Sequence, residues 1–188
     1  MVKNIIFDIG GIILDDSKDN TNKILNSDAT FLYKKMYGKS FLDCLLGKMD
    51  MTEYIETFKD DPEYNKIKYI LSNQDISCPL LKSNFDYISS LKDRGYNLYI
   101  LSNLTKYTHD YLKRIANIDE IFKGGVFSYQ EGIMKPDKRI YELLINRYNL
   151  NKEETIFFDD RERNIEAALE CGIKGIVFKS IDDVENNI

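Results

Sequence analysis

The sequence predicts an α/β protein with a doubly wound parallel sheet and a small helical domain inserted after the first strand. Two observations indicate the sheet: short apolar runs of strand length recur along the chain, and helical patterns with recognisable ends separate them. A third observation indicates the insertion, because residues 17–77 contain no comparable apolar run.

Five apolar runs are predicted as strands. They are continuous rather than alternating, which is typical of strands buried on both faces of a parallel sheet, and they cover residues 3–8, 97–102, 125–128, 155–159 and 174–178. Four helical patterns lie among them, with glycine or proline at several of their ends, at residues 79–94, 105–116, 136–148 and 164–171. Alternation of strands and helices predicts crossover connections and a doubly wound sheet.

The stretch after the first strand has helical periodicity and polar linkers instead. Segments such as "DATFLYKKMYG" and "MTEYIETFK" are separated by glycines and one proline. We therefore predict a helical cap at residues 16–83 and a core domain formed by residues 1–15 and 84–188. A cap that enters after the first strand would lie over the carboxyl ends of the strands, where ligands bind in such folds. It would then exclude water and select substrates.

Composition limits the classes of partner. The chain has 188 residues, 43% of them hydrophobic and 30% charged, and a net charge of −5 without a lysine or arginine cluster. We expect a small-molecule partner rather than nucleic acid or a membrane surface. The apolar runs are too short for a membrane span, and the first is interrupted by Asp8. These features favour a cytoplasmic protein, and a monomer is favoured although the sequence leaves the oligomeric state open.

The cysteines and the single histidine offer no alternative chemistry. Cys44, Cys78 and Cys171 are scattered without metal-ligand spacing, so we expect free thiols. His109 lies in the polar pattern "TKYTHDYLKR", and we expect a surface residue rather than a catalytic base.

Polar side chains follow several of the predicted strands. Because the carboxyl ends of parallel strands meet at one edge of the sheet, we expect these residues to lie together. An acid at the tip of a buried strand is poorly explained by packing, because an unpaired charge is costly in apolar surroundings. The residues are Asp8, Ser102, Asn103, Lys135, Asp159 and Asp160.

These residue types suit phosphoryl chemistry. Asp8 and Asp160 would suit Mg²⁺, which prefers oxygen ligands and commonly binds through one or two carboxylates and a substrate phosphate. A free carboxylate beside that metal can attack phosphorus. Lys135 would place a fixed positive charge against the transferring oxygens.

Four further residues would serve the same phosphoryl group. Ser102 and Asn103 would donate hydrogen bonds to its oxygens. Gly10 and Gly11 would let the backbone pass close to it, and the Gly10 carbonyl would complete the metal ligands.

The motifs "IIFDIGG", "ILSN", "KPDKRIYE" and "TIFFDDRERNIEAALECGI" occur in this order over most of the chain. Together they resemble the four motifs of the haloacid dehalogenase superfamily, in the subfamily whose helical cap follows the first strand of a Rossmann-like core. The resemblance implies a Mg²⁺-dependent phosphatase that hydrolyses a small phosphomonoester through an aspartyl-phosphate intermediate on Asp8.

The same resemblance assigns the other roles. It makes Asp8 a metal ligand as well as the nucleophile, and it makes Asp160 a second metal ligand. Ser102 and Asn103 would hold the phosphoryl group while Lys135 neutralises it. It implies that Asp159 and Asn164 support these groups from behind.

The chain departs from the family pattern at Gly10. Phosphatases of this superfamily usually carry an aspartate there, which protonates the leaving group and then deprotonates water. A branch that includes bacterial α-D-glucose-1-phosphate phosphatases shares the "FDxG" pattern and is similar in "KPDKRIYE" and "FFDD", which favours a sugar phosphate as substrate. Asp15 or Asp16 could substitute for the missing acid, although we favour the interpretation that both are solvated at the cap junction.

Two other functions remain open. Hydrolytic dehalogenases of this superfamily also lack the second acid of the first motif, but they do not use Mg²⁺ and do not need an acid such as Asp160. A catalytically weak phosphoryl-binding or regulatory protein is the other alternative. Within the cap, the aromatic residues Phe31, Tyr33, Tyr37 and Tyr54 are candidates to line the substrate face.

Overall fold

The computed structural model describes all 188 residues and contains one five-stranded parallel sheet. The strand order is β3-β2-β1-β4-β5, and every neighbouring pair is parallel. The strands are β1 (Asn4–Phe7), β2 (Asn97–Ser102), β3 (Gly124–Phe127), β4 (Thr155–Asp159) and β5 (Lys174–Val177). The predicted doubly wound α/β class is confirmed.

Seven helices pack on the two faces of this sheet or follow its strands. They are α7 (Lys82–Asp93), α8 (Lys106–Ile115), α9 (Ile118–Ile121), α10 (Ser128–Glu131), α11 (Lys138–Arg147), α12 (Glu162–Glu170) and α13 (Ile181–Glu185). A 3-10 turn at Lys152–Glu154 precedes β4. No helix of the chain combines the length and the hydropathy that a membrane span requires.

Two hydrophobic clusters cover opposite faces of the sheet. Ile5 and Phe7 point into a cluster of 22 buried residues that includes Ile88 of α7, whereas Ile6 points into a cluster of 14 that includes Ile140 of α11. Successive residues of a strand face opposite sides, so a continuous apolar run is needed to serve both clusters. This is the physical reason that the strands could be predicted from their unbroken apolar runs.

The insertion is entirely helical and has a core of its own. It consists of α1 (Lys18–Leu25), α2 (Thr30–Met36), α3 (Phe41–Leu45), α4 (Met51–Glu56), α5 (Tyr64–Ser72) and α6 (Gln74–Ser77). Ten buried residues, Tyr54 and Ile67 among them, form a hydrophobic cluster separate from the two that cover the sheet. The predicted division at residues 16 and 83 stays a prediction.

The two connections between the sheet and the insertion pair with each other. The Asp15 N–H donates to the Pro79 carbonyl at 2.9 Å, and the Leu81 N–H donates to the Ile13 carbonyl at 2.8 Å. Leu14 and Leu80 form an antiparallel bridge between these bonds. The helical cap therefore leaves and rejoins the sheet through one narrow paired segment.

Several predicted element ends are wrong. The first helical pattern is predicted to begin at Pro79 and the fourth at Asn164, but α7 begins at Lys82 and α12 at Glu162. Ser128 was predicted in the third strand, but it begins α10, and β3 ends at Phe127. The third helical pattern was predicted to begin at Pro136, but α11 begins at Lys138, where the Asp137 side chain accepts the Arg139 N–H. Asp137 is a strong N-cap residue, and it sets the start of the helix in place of the proline.

Candidate active site

Buried polar residues meet at the carboxyl ends of β1, β2 and β4. Phe7 pairs with Phe158, so Asp8, the next residue, lies beside Asp159 at the end of β4. The Asp8 N–H donates to the Phe158 carbonyl at 2.9 Å. Asp8, Asp159 and Ser102 at the end of β2 are all buried. Strand ends therefore bring together polar groups that lie far apart in the sequence.

Lys135 reaches this cluster from the loop before α11. Its side chain is 1% exposed, and its Nζ lies 2.9 Å from Asp8 Oδ1 and 2.6 Å from Asp159 Oδ2. One buried ammonium thus faces two carboxylates. A buried charge that lacks full compensation is strongly destabilising, so a further cation would stabilise this group.

Asp159 uses both of its carboxylate oxygens for protein donors. Oδ1 accepts the Arg161 N–H and the Asn164 amide, each at 2.9 Å. Oδ2 accepts Lys135 at 2.6 Å and the Asn164 amide at 3.0 Å. This arrangement holds the Lys135 ammonium beside Asp8.

Asn103 links the loop after β2 to Lys135. Its side-chain oxygen accepts the Lys135 N–H at 2.8 Å, and its side-chain amide donates to the Lys135 carbonyl at 2.9 Å. Ser102, one residue earlier, is buried beside Asp8, and its hydroxyl opposes the effect of burial on the pKa of that carboxyl. Asn103 therefore positions the lysine in addition to any contact with substrate.

The acids of this cluster fit a divalent cation. Carboxylate oxygens of Asp8, Asp159 and Asp160 all lie within 4.8 Å of one another. Asp8 Oδ1 is buried, and although it lies 2.9 Å from the Lys135 ammonium it has no hydrogen-bond partner. Hard oxygen donors in this number suit Mg²⁺. Since Asp159 is already saturated by protein donors, Asp8 and Asp160 are the two available ligands, with the Gly10 carbonyl as a third candidate.

The pKa values of Asp8 and Asp160 are both raised above their ordinary values. Burial raises the pKa of Asp8 to about 6, and the Lys135 ammonium opposes this rise. Burial also raises the pKa of Asp160, and the Arg161 guanidinium opposes it. Both shifts have the cause expected for carboxylates withdrawn from water.

Gly11 has a conformation and a position that both require glycine. Its φ is +69°, in the left-handed region. A Cβ at this position would lie 3.1 Å from Asp160 Oδ2 and crowd the carboxylate. A side chain at position 11 would therefore disturb the candidate metal ligand.

A cavity of about 410 Å³ opens from Asp8 toward the cap. Its core side includes Asn103 and Lys135, and its cap side includes Tyr33, Tyr37 and Phe41. The volume is typical of a site for a small molecule. Cap and core thus form opposite walls of one cavity.

Two of the four cap aromatics considered from the sequence line this cavity. Tyr33 and Tyr37 do, whereas Phe31 is 75% exposed to solvent. Tyr54 is fully buried in the cap, where its hydroxyl donates to the Met36 carbonyl. Periodicity alone does not distinguish the cavity side of the cap from its own core.

Two arginines of the cavity were missed in the sequence. Arg161 and Arg163 both line it, and the Arg161 guanidinium lies 3.8 Å from Asp160 Oδ1 and 4.0 Å from Asp16 Oδ2. Their position directly after the two strand-end acids is the signal that could have identified them.

The prediction that His109 is a surface residue is wrong. His109 is buried, its ring centre lies 4.0 Å from that of Phe127, and Nδ1 lies 2.8 Å from the Tyr129 hydroxyl. It shares one face of α8 with the buried Leu112, three residues later. His109 does not line the cavity, so its place is in the packing of α8.

Comparisons with known proteins agree on one family. A sequence model described as haloacid dehalogenase-like hydrolase matches residues 2–172. The chain is 28% identical over 195 residues to a D-ribitol-5-phosphate phosphatase from Bacteroides thetaiotaomicron, covering 93% of this chain and 90% of that protein. It is 25% identical over 199 residues to a phosphorylated carbohydrates phosphatase from Thermotoga maritima, covering 95% and 87%.

A solved structure has the same fold. It is an enzyme of this family from Bacteroides thetaiotaomicron in complex with magnesium and inorganic phosphate. The TM-score is 0.75 and the identity is 21%, over 95% of each chain. The likeness extends over the cap as well as the sheet.

Proposed function

Because this chain belongs to the haloacid dehalogenase-like hydrolases, we propose that it is a magnesium-dependent phosphatase that acts on a small sugar or sugar-alcohol phosphate. The observation that carries the proposal is the arrangement around Asp8. The buried Asp8 carboxylate lies beside the fixed Lys135 ammonium and near the Asp160 carboxylate, and both Asp8 and Lys135 line the cavity between cap and core. Such a site can accept a phosphoryl group and offset its charge.

Asp8 is the proposed nucleophile. Its carboxylate attacks the phosphorus of the bound ester, the bond from phosphorus to the leaving oxygen breaks, and an aspartyl phosphate forms on Asp8. Water then attacks this phosphorus and releases inorganic phosphate, which restores the carboxylate.

Lys135 stabilises the charge that the phosphoryl oxygens carry in both steps. It is already held beside Asp8 by Asp159, so little reorganisation is needed as the reaction proceeds. When bound by Asp8, Asp160 and the Gly10 carbonyl, Mg²⁺ would offset further negative charge on those oxygens. Ser102 and Asn103 are the proposed hydrogen-bond donors to the phosphoryl group.

The size and lining of the cavity support a small polyhydroxylated substrate. About 410 Å³ is enough for a small molecule, and the lining includes polar side chains of Gln74, Thr105 and Thr108 that can contact hydroxyl groups. The two relatives that span most of the chain are both named as phosphatases of carbohydrate-type phosphates. We assign substrate selection to the cap, residues 16–83.

The carboxylate cluster also favours a phosphatase over a hydrolytic dehalogenase. Displacement of a halide from carbon needs one nucleophilic carboxylate and no metal. Here Asp160 adds a further acid within 4.8 Å of Asp8, which would repel its charge without a cation to balance both. An assay for halide release from short haloacids measures this second candidate function directly.

The proposal is tested by measuring phosphate release from D-ribitol 5-phosphate, D-glucose 1-phosphate and p-nitrophenyl phosphate, with Mg²⁺ or with a chelator. We expect Mg²⁺-dependent turnover that falls on the order of 10⁴-fold or more in Asp8→Asn, because an amide cannot attack phosphorus. The matched control is Asp86→Asn, which changes an exposed acid on α7. Turnover by Asp8→Asn close to that of the unmodified protein would contradict the proposal.

A further inference from the structure

The space beside Gly10, rather than its backbone conformation, excludes a side chain at this position. Gly10 is not among the glycines with positive φ, so its backbone is open to other residues. A Cβ built on Gly10, however, would lie 2.7 Å from Asp16 Oδ2 and 3.2 Å from Asp16 Cγ. The Asp16 carboxylate therefore occupies the space that a side chain at position 10 would enter.

The chain returns to this point through a tight turn. The Ile13 and Leu14 N–H groups both donate to the Ile9 carbonyl, at 2.8 and 3.0 Å, and the Gly11 N–H donates to the Leu14 carbonyl at 2.9 Å. From the cap, the Tyr33 hydroxyl donates to the Asp16 carbonyl at 2.9 Å. On the core side, the Arg161 guanidinium lies 4.0 Å from Asp16 Oδ2, and the Asp16 side chain lines the cavity together with Asp8.

We propose that Asp16 carries out the proton transfers for which this family usually has an aspartate at position 10. The inference rests on the proposed phosphatase function. As the bond from Asp8 to phosphorus forms and the bond to the leaving oxygen breaks, the Asp16 carboxyl gives its proton to that oxygen. The alcohol departs, and Asp16 is left as a carboxylate.

The second step returns the proton. Water attacks the phosphorus of the aspartyl phosphate while the Asp16 carboxylate takes one of its protons. The bond from phosphorus to the Asp8 oxygen breaks, inorganic phosphate leaves, and both aspartates recover their starting states. No other reactant is needed.

The neighbouring acid provides a matched control. Asp15 Oδ1 accepts the Ser17 N–H at 3.1 Å, and the Asp15 carbonyl accepts the Asn20 amide at 2.7 Å. The cavity lining includes Asp16 and not Asp15. Asp15→Asn therefore removes an adjacent carboxylate of the same chain segment without touching the reaction.

The experiment compares phenyl phosphate with p-nitrophenyl phosphate, which differ by one nitro group. Phenolate is the poorer leaving group, so phenyl phosphate depends more on protonation of the leaving oxygen. We expect kcat/KM of Asp16→Asn to fall ~10²-fold or more on phenyl phosphate, within the range of general acid catalysis, and less than about tenfold on p-nitrophenyl phosphate. We also expect a burst of about one nitrophenolate per enzyme, because hydrolysis of the aspartyl phosphate slows. Asp15→Asn should behave like the unmodified protein on both esters.

An equal loss on both esters, or no loss on either, would overturn the role of Asp16 while leaving the phosphatase assignment in place. Absence of turnover in the unmodified protein, or turnover that survives Asp8→Asn, would instead overturn the phosphatase function and this inference with it. The two failures are therefore distinguishable.

A second pair of variants, in which the carboxylate is moved from position 16 to position 10, tests the proposal even if Asp16→Asn folds poorly. In Gly10→Asp/Asp16→Ala, the shortened residue 16 leaves room for an acid at position 10. We expect kcat/KM on phenyl phosphate at least tenfold above that of Gly10→Ala/Asp16→Ala, which has a carboxylate at neither position. Equal values for the two double variants would overturn the proposal. The single variant Gly10→Asp should gain little, since its new side chain must displace Asp16.

Discussion

Asp8, Asp159 and Lys135 show how single residues define this site. Two buried carboxylates face one ammonium that is 1% exposed. Both oxygens of Asp159 accept hydrogen bonds, from Lys135, Arg161 and Asn164. Only Asp8 and Asp160 are left to meet a cation or a phosphoryl group. The residue types at the strand ends were predictable from the sequence. The sequence could not show which aspartates are occupied by protein donors and which are available to a ligand, because that depends on the hydrogen bonds of the folded chain.

The burial of His109 predicts how the free energy of unfolding depends on pH. Burial lowers its pKa below the ordinary 6.5, and Lys113 adds to the shift, so the folded state favours the neutral ring. The stability contributed by this ring is present above pH 6.5 and is lost as the pH falls through the lowered pKa. We expect the free energy of unfolding to fall more between pH 7 and 5 in the unmodified protein than in His109→Asn.

Urea denaturation at several pH values measures this difference. Asparagine can replace the Nδ1 contact with Tyr129 but does not titrate. Taking the difference between the two proteins also removes the opposite effect of Asp8, whose raised pKa favours the folded state at low pH. Identical pH profiles would show that the buried ring does not titrate in this window.

At the scale of elements, the strands and the turn after β1 determine where the chemistry lies. All five strands were predicted within one or two residues, because each must be apolar on both faces to serve the two clusters. The turn was not predicted in this detail. Its hydrogen bonds return the chain from Ile9 to Asp16, and the sequence alone left Asp15 and Asp16 equivalent.

The close contact between the cap and α10 predicts that a side chain at Gly47 lowers both stability and substrate affinity. Gly47, between α3 and α4, has a φ of +69°, and a Cβ there would lie far inside the van der Waals contact distance of the Tyr129 carbonyl oxygen. Neither backbone can yield without shifting the cap. Gly47→Ala should therefore lose ~1–3 kcal/mol beyond the cost of the positive φ, and KM should rise because the cap no longer closes the cavity.

Gly132→Ala is the matched control for this variant. Gly132 has a similar φ of +65°, but nothing lies within 4 Å of a Cβ there, so it reports the cost of the backbone conformation alone. Urea denaturation and KM measurements on both variants separate the two effects. Equal losses of stability and equal KM values would mean that the close approach of Gly47 does not seat the cap.

At the scale of the whole molecule, the site exists because two domains with separate cores meet over one sheet edge. The Gln74 amide donates to the Thr108 hydroxyl at 2.8 Å, and the Tyr107 hydroxyl donates to the Ser72 carbonyl at 2.9 Å across this junction. Sequence periodicity predicted a helical cap at residues 16–83. It could not predict which cap residues line the cavity, because that depends on the docking of two separately folded units.

Magnesium binding makes the whole-molecule prediction. A cation that binds only the folded chain stabilises it by about 2.7 kcal/mol at about 100 times Kd. For a chain of this length we expect Mg²⁺ to raise Tm by roughly 5–10 °C. Asp160→Asn should lose most of this shift because it removes a candidate ligand, whereas Asp86→Asn should keep it. A full shift in Asp160→Asn would remove Asp160 from the metal site.

The central claim is that Asp8 carries the phosphoryl group, and the most direct test is to find the group on that residue. The protein is mixed with p-nitrophenyl phosphate and Mg²⁺, quenched with acid on the millisecond scale and digested. Peptide fragmentation then separates Asp8 from Asp15 and Asp16, which lie between the same two lysines, Lys3 and Lys18. We predict up to one phosphoryl group per chain, on Asp8 and absent from Asp8→Asn. Turnover without label on Asp8, or label on another residue, would contradict the account.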